Sequence, residues 1–74
     1  MERTRIKING MTDVTRFVQA AKEVEGDIIL EKGRFCVDGK SILGVLSLDM
    51  SSGVIIEYPK EALEFASFLQ EFIF

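Results

Sequence analysis

The chain has 74 residues, of which 47% are hydrophobic and 28% are charged, so the composition predicts one small globular domain. A domain of this size buries only about 60% of the surface that its unfolded chain exposes, which argues against an enclosed substrate cavity. Twelve acidic and nine basic residues give a net charge of −3. Because proteins that bind duplex DNA usually carry a positive excess, we expect no nucleic-acid partner.

The residue types that the sequence lacks exclude several kinds of chemistry. It contains no histidine, which removes imidazole bases, phosphohistidine and histidine metal ligands, and we expect no metal and no cofactor. Its single cysteine, Cys36, cannot form an intrachain disulfide, and we interpret it as a small hydrophobic residue of the sheet. No apolar run is long enough to span a membrane, and the N-terminus lacks a secretory pattern. We therefore expect a cytoplasmic protein that does not associate with membranes.

The first predicted element is a strand over Glu2–Ile8, in which apolar and basic side chains alternate with a period of two. Its apolar face carries Thr4, Ile6 and Ile8. Its basic face carries Arg3, Arg5 and Lys7. We expect the basic side chains on a solvent-exposed face of the sheet.

A helix is predicted after the break at Asn9-Gly10, with Thr12 or Asp13 in position to cap its first turn. Its apolar residues recur with the 3.6-residue period of one helix face. They are Val14, Phe17, Val18, Ala21 and Val24. Gly26, which accepts a left-handed backbone conformation, is expected to end this helix.

Two short runs, Asp27–Glu31 and Arg34–Asp38, are rich in Ile, Val and Phe and are joined across Lys32-Gly33, which predicts a tight hairpin. Ile28 and Leu30 share one face, and Phe35 and Val37 share another. This hairpin supplies the second and third strands of the predicted sheet.

Gly53–Tyr58 predicts a fourth strand, which ends at Pro59 because proline has no N–H for the ladder. Pro59 can also begin a final helix. The apolar stripe of that helix is Leu63, Phe65, Ala66, Leu69, Phe72 and Ile73. Since each predicted helix has one apolar side, we expect the helices to cover one face of an antiparallel sheet, which is an α+β architecture.

A short helix is predicted between the third and fourth strands, with the hydroxyl of Ser41 as its N-cap. At about 100° per residue, Val45 and Leu48 fall on one side of this helix. A second apolar set, on another side, consists of Ile42, Leu43 and Leu46. Only one set can pack on the sheet, so the other predicts an exposed apolar patch of the kind that binds protein partners.

The run from Lys40 to Leu48, K-S-I-L-G-V-L-S-L, resembles the regulatory-serine helix of HPr, the phosphocarrier family of the bacterial sugar phosphotransferase system. Residues 17–21 and 27–31 resemble the first helix and second strand of the family at matching spacing, and an ungapped comparison extends from about residue 8 to residue 58. The resemblance implies one HPr-like domain over residues 1–74. Its fold would be an open-faced β-sandwich, β-α-β-β-α-β-α, with sheet order 1-4-2-3 and three helices on one face.

The sequence departs from the family in the turn before the first helix, where HPr carries its phosphoryl group on a histidine. The comparison places Gly10 opposite that histidine, Thr12 opposite an arginine and Asp13 opposite a proline. The nucleophile and the guanidinium that holds the phosphoryl oxygens are both missing, and Asp13 adds a charge that repels phosphate. We interpret Gly10, Thr12 and Asp13 as a degenerate active-site turn and do not extend the carrier function to this chain.

Ser41 matches the serine that a kinase modifies in the family, with Lys40 before it and Ile42 after it. The same loss of histidine and retention of serine is found in catabolite-repression HPr, which acts only in regulation. We therefore expect a non-enzymatic regulatory protein. It would bind phosphotransferase components, an HPr kinase or a transcriptional regulator through Lys40, Ile42, Leu43 and Leu46. The alternative is an accessory module that keeps only the scaffold and acts as a homodimer through Leu46 or Phe68, with Ser41 as a plain helix cap.

Overall fold

A computed structural model describes all 74 residues and contains four strands and three α-helices. The strands are β1 (Glu2–Ile6), β2 (Ile29–Lys32), β3 (Phe35–Asp38) and β4 (Val54–Tyr58). The helices are α1 (Met11–Lys22), α2 (Ile42–Ser47) and α3 (Leu63–Leu69), and one short 3-10 turn spans Met50–Ser52. All strand pairs are antiparallel and the sheet order is β1-β4-β2-β3. The predicted α+β fold and strand order are confirmed.

The helices pack on one face of the sheet and form with it a single hydrophobic core. Leu30 pairs with Ile56 on β4 and with Val37 on β3, so these three side chains lie on the same face of the sheet. Leu30 and Ile56 are fully buried, and they share one cluster with Phe17 of α1 and Leu69 of α3. Leu30 and Val37, which the sequence analysis placed on different faces, thus lie on the same face of the sheet, the one that the helices cover.

The N-terminal elements differ from their predicted bounds. β1 ends at Ile6, which pairs with Val54, the first residue of β4. The residues after Ile6 therefore have no strand of β4 opposite them. Ile8 is still buried, and its N–H donates to the carbonyl of Met50 at 3.1 Å. The predicted Thr12 or Asp13 cap is wrong, because Gly10 is the N-cap and its carbonyl accepts from Val14 at 3.1 Å.

The later elements also differ in their bounds. α1 ends at Lys22, so Val24 follows the helix. The hairpin turn is Gly33-Arg34 rather than Lys32-Gly33, because Gly33 takes the positive φ of 60° at the first turn position. Pro59 does not begin a helix: its carbonyl accepts from Ala62 in a turn. Consequently α3 begins only at Leu63, which is 74% exposed rather than part of the apolar stripe.

The uncovered face of the sheet carries the basic side chains, as expected, but they are not simply solvated. Arg3 forms ion pairs with Glu57 on the adjacent strand β4 and with Glu31 on β2, one strand farther across the sheet. The guanidinium carbon of Arg5 and the ammonium of Lys7 each lie 4.8 Å from the ring centre of Phe74. Cations over an aromatic face attract it electrostatically, so the end of the chain is held on this face of the sheet.

Candidate functional site

Helix α2 presents one apolar side to the core and another to solvent. Val45 is fully buried and Leu48, just after the helix, is 8% exposed. The side chains of the opposite set are exposed by 37% for Ile42, 78% for Leu43 and 47% for Leu46. We call these three residues the α2 patch. The predicted exposed apolar surface on this helix is therefore present.

Ser41 is the N-cap of α2, as the sequence predicts. Its backbone is extended, and its Oγ accepts a hydrogen bond from the backbone N–H of Gly44 at 3.1 Å. Its carbonyl accepts from the N–H of Val45 at 2.9 Å, which closes the first turn. The hydroxyl is half-buried and adjoins the α2 patch along the chain. The cap therefore fixes the side-chain oxygen at the position where any modification would meet the helix N-terminus.

Lys40, which the sequence predicts as a partner-binding residue, contacts the chain just beyond α1. Its Nζ donates to the carbonyl of Val24, just beyond α1, at 2.6 Å in a partly buried contact. Its backbone N–H donates to the Asp38 carboxylate at 2.9 Å. Both contacts hold the approach to Ser41 in one conformation, so Lys40 links the end of α1 to the start of α2.

The degenerate turn lies at the start of α1 and is exposed. Gly10 has a φ of 85°, a conformation that side chains rarely adopt, and nothing lies within 4 Å of where its Cβ would be. Thr12 is exposed, and the Asp13 carboxylate accepts from Arg16 at 3.0 Å. The position opposite the family's histidine thus has no side chain, and the Asp13 carboxylate is already paired with a guanidinium.

Arg16 is the centre of an ion-pair network that the sequence did not reveal. Its guanidinium pairs with Glu71 at 3.0 Å as well as with Asp13, and it lies 5.5 Å from the ring centre of Phe68. Hydrogen bonds to Glu71, and secondly to Asp13, raise the pKa of Arg16. The partly buried ring of Phe68 also packs against Phe72, with 5.3 Å between ring centres.

Gly10 of the degenerate turn and Leu46 of the α2 patch line the same groove. This open groove of about 460 Å³ is lined by Gly10 and Met11 on one side and by Leu46 and Ser47 on the other. Met11 is 58% exposed and enlarges the apolar surface beyond the α2 patch. Sequence reasoning missed Met11, because only the fold brings the first residue of α1 against the far end of α2.

Comparison with known proteins decides the family of the chain. Residues 13–59, more than half of the chain, match the family model described as "PTS HPr component phosphorylation site". The HPr-like protein Crh of Bacillus subtilis is 40% identical over 62 residues, which cover 74% of this chain and 73% of that protein. The chain belongs to the HPr family.

Solved HPr structures confirm the fold. The crystal structure of HPr-C-His from Thermoanaerobacter tengcongensis superposes with a TM-score of 0.76 at 27% identity, covering 95% of this chain and 92% of that one. The phosphocarrier protein HPr of Bacillus anthracis gives a TM-score of 0.69 at 29% identity, covering 93% and 94%. This HPr-family chain therefore keeps the open-faced sandwich over nearly its whole length.

Two further observations describe the surface of this HPr-family protein. No group of three or more Cys, Asp or Glu side chains is arranged to hold a metal ion. None of its helices has the length and hydropathy needed to cross a bilayer.

Proposed function

We propose that this HPr-family chain is a non-enzymatic regulator that binds cytoplasmic protein partners through the α2 patch and is switched by phosphorylation of Ser41. One observation carries the proposal: the Ser41 hydroxyl caps a helix whose solvent side is formed by exposed apolar residues. A charge added at the cap therefore adjoins the surface that a partner would cover. The partner classes that fit are phosphotransferase components, an HPr kinase and a transcriptional regulator.

A role as phosphocarrier is chemically excluded at the histidine position, because the chain contains no histidine. Neither neighbouring group supplies a substitute. Thr12 is exposed, and the Asp13 carboxylate is paired with Arg16. The Arg16 guanidinium is shared between Asp13 and Glu71 rather than left free to hold phosphoryl oxygens. What remains of the family's chemistry is the serine.

Phosphate on Ser41 is compatible with the fold. A phosphoserine carries a charge of about −1.5 to −2 at neutral pH and offers three acceptor oxygens, which can replace the Oγ acceptor at the first-turn N–H groups. An anion at a helix N-terminus is stabilised by about 0.3–1 kcal/mol when exposed. The modification would therefore leave α2 folded and change the charge beside the α2 patch, which alters partner affinity rather than stability.

Lys40 contributes to this proposal as a positioning residue at the edge of the binding surface. Its ammonium has three N–H donors and uses one of them on the carbonyl of Val24. Its effect is to hold residues 38–41, and hence the cap, in place. Ile42, Leu43 and Leu46 supply the apolar contacts with the partner, and the remaining donors of Lys40 lie beside them in the chain.

The first test is phosphorylation in vitro. The chain is incubated with an HPr kinase and ATP, and peptide mapping by mass spectrometry locates the phosphate. We expect modification of Ser41 and none in Ser41→Ala. Ser47→Ala is the matched control, since Ser47 lies on the same helix and its hydroxyl donates to the carbonyl of Gly44 at 2.6 Å. Phosphate on Ser47 or on no serine contradicts the switch.

The second test measures binding to a transcriptional regulator that recognises HPr-family proteins, with phosphorylated and unmodified chain. Leu46→Lys is expected to weaken binding at least tenfold, whereas Leu63→Lys, an equally drastic change at an exposed leucine of α3, leaves it within about twofold. Equal effects of the two substitutions, or equal affinity of both phosphorylation states, contradict a role for the α2 patch.

A further inference from the structure

Strand β3 forms a free edge of the sheet. It pairs only with β2, and the N–H of Gly39, one step beyond the strand, donates to the carbonyl of Ile28 on that side at 2.7 Å. Backbone groups alternate in direction along an antiparallel strand. Phe35, Val37 and Gly39 therefore direct their N–H and C=O groups toward β2, and the N–H and C=O of Cys36 point outward from the sheet.

The side chains along this edge do little to prevent pairing with another strand. The edge has no proline, bulge or inward-pointing lysine, which are the usual means of blocking it. Phe35 is 64% exposed, and Cys36, which lies in the sheet as expected, is exposed as well. The flanking residues have opposite charge: Arg34 precedes the strand and Asp38 ends it. Neither of these two side chains forms an ion pair within the chain.

We propose that β3 binds the β3 strand of a second copy of this chain, antiparallel and centred on Cys36. In that register Cys36 lies opposite Cys36 of the second copy, and its outward N–H and C=O make two hydrogen bonds across the axis. Arg34 of each copy then lies opposite Asp38 of the other, which gives two such pairs. Phe35 of each copy likewise lies opposite Val37 of the other. The sequence of the edge is thus complementary to itself in charge and in apolar character.

This pairing produces one continuous eight-stranded sheet. The two-fold axis stands perpendicular to the sheet, so the helices of both copies lie on the same side. α2 packs directly against β3, since a Cβ at Gly44 would lie 3.3 Å from the Cβ of Val37. The two α2 helices consequently flank the junction, and the dimer would present two α2 patches side by side. The inference does not depend on phosphorylation of Ser41.

The dimer is expected to be weak, because pairing two short edge strands buries less than the roughly 1,200 Å² of a stable interface. We expect a dissociation constant of about 10–1,000 μM. Sedimentation equilibrium under reducing conditions over that range should therefore show a mass that rises from monomer to dimer.

Charge exchange tests the register. Arg34→Asp places two aspartates opposite each other at each end of the junction, and Asp38→Arg does the same with arginines. Each variant alone should dimerise at least about tenfold more weakly. An equal mixture of the two should recover the dimer, because each mixed pair restores opposite charges. Lys60→Asp, an exposed reversal far from β3, is the matched control, and thermal unfolding verifies that each variant folds.

Cross-linking gives a second readout. Cys36 is the only cysteine, so a short bismaleimide can link two chains only through it. We expect covalent dimer from the native chain and from the mixture of variants, and little from either variant alone. A native chain that stays monomeric, a dimer that both charge variants retain, or a mixture that fails to recover dimerisation overturns the proposal. If the native chain stays monomeric and an extended peptide pairs with β3 instead, the edge has a different occupant and the proposal is likewise overturned.

Discussion

Replacing Ser41 by alanine removes the side-chain cap of α2 and tests the geometry of the site directly. The Oγ of Ser41 accepts from the N–H of Gly44 at 3.1 Å, and no other side chain caps this helix. Loss of such a cap costs about 0.5–2 kcal/mol, typically about 1 kcal/mol. Ser41→Asp retains an acceptor at the same position and should stay within about 0.5 kcal/mol of the native chain.

Urea unfolding followed by circular dichroism measures the difference. For a domain of this size an m-value near 1 kcal/mol/M converts 1 kcal/mol into a shift of the midpoint by about 1 M. The same loss lowers the melting temperature by about 4–8 °C. Ser47→Ala is the control, because the Ser47 hydroxyl bonds an exposed carbonyl at the other end of α2 and caps no free N–H group.

We therefore expect a defined order of the free energies of unfolding. The native chain and Ser41→Asp should be the most stable, Ser47→Ala slightly less stable, and Ser41→Ala the least stable. Equal stability of Ser41→Ala and Ser47→Ala would show that the hydroxyl is not an effective cap. Ser41→Asp falling as low as Ser41→Ala would show that the position does not accept an anion. The latter result would also remove the physical basis for a phosphate at this site.

Three other substitutions have defined outcomes. Hydrogen bonds from the Ser51 hydroxyl and backbone lower the pKa of Asp49, so its carboxylate stabilises the fold above its unfolded pKa of about 3.9 and loses that effect as the pH falls through the folded value. Asp49→Asn should accordingly flatten the acid side of the stability profile, measured by urea unfolding between about pH 2 and pH 5. Gly53→Ala should cost about 1–3 kcal/mol, because φ is 98° and the added Cβ would lie 2.8 Å from the Phe74 ring. Lys40→Met should cost about 1 kcal/mol by removing a donor from a partly buried carbonyl.

Each of these outcomes has a clear opposite. An unchanged acid limb in Asp49→Asn would mean that the carboxylate titrates alike in the folded and unfolded chain. If Phe74→Ala restores the full stability of Gly53→Ala, the cost comes from the ring contact and not from the backbone conformation. Native stability of Lys40→Met would show that the bond from the Lys40 ammonium to Val24 does not stabilise the fold, which would favour a role of Lys40 in partner binding, as the sequence suggested.

The sequence predicted helix α2 well because the signals that define it are local. The positions of Val45 and Leu46 on a helix of 3.6 residues per turn decide which side is buried, and Ser41 has the residue type and place of an N-cap. Strand order was supplied by the resemblance to HPr, since nothing in a single strand of four or five residues specifies which neighbour lies beside it. The local patterns and the family resemblance agree with the structure at these points.

The features that sequence reasoning missed all depend on contacts between distant residues. Met11 joins the groove, and Arg16 meets Glu71, only after α1 has packed beside α2 and the end of α3. The Lys40 ammonium is bonded to a carbonyl 16 residues away, which no spacing rule indicates. Cys36 is exposed because its side chain lies opposite Glu31, on the sheet face that the helices leave uncovered, and the hydrophobic character of its neighbours gives no sign of that position.

Peptide mapping of the native chain after incubation with an HPr kinase and ATP addresses the proposed switch most directly. We expect phosphate on Ser41 alone, with circular dichroism showing that the modified chain remains folded. An unmodified chain, phosphate on a different serine, or unfolding upon modification of Ser41 would contradict a phosphorylation switch at the cap of α2.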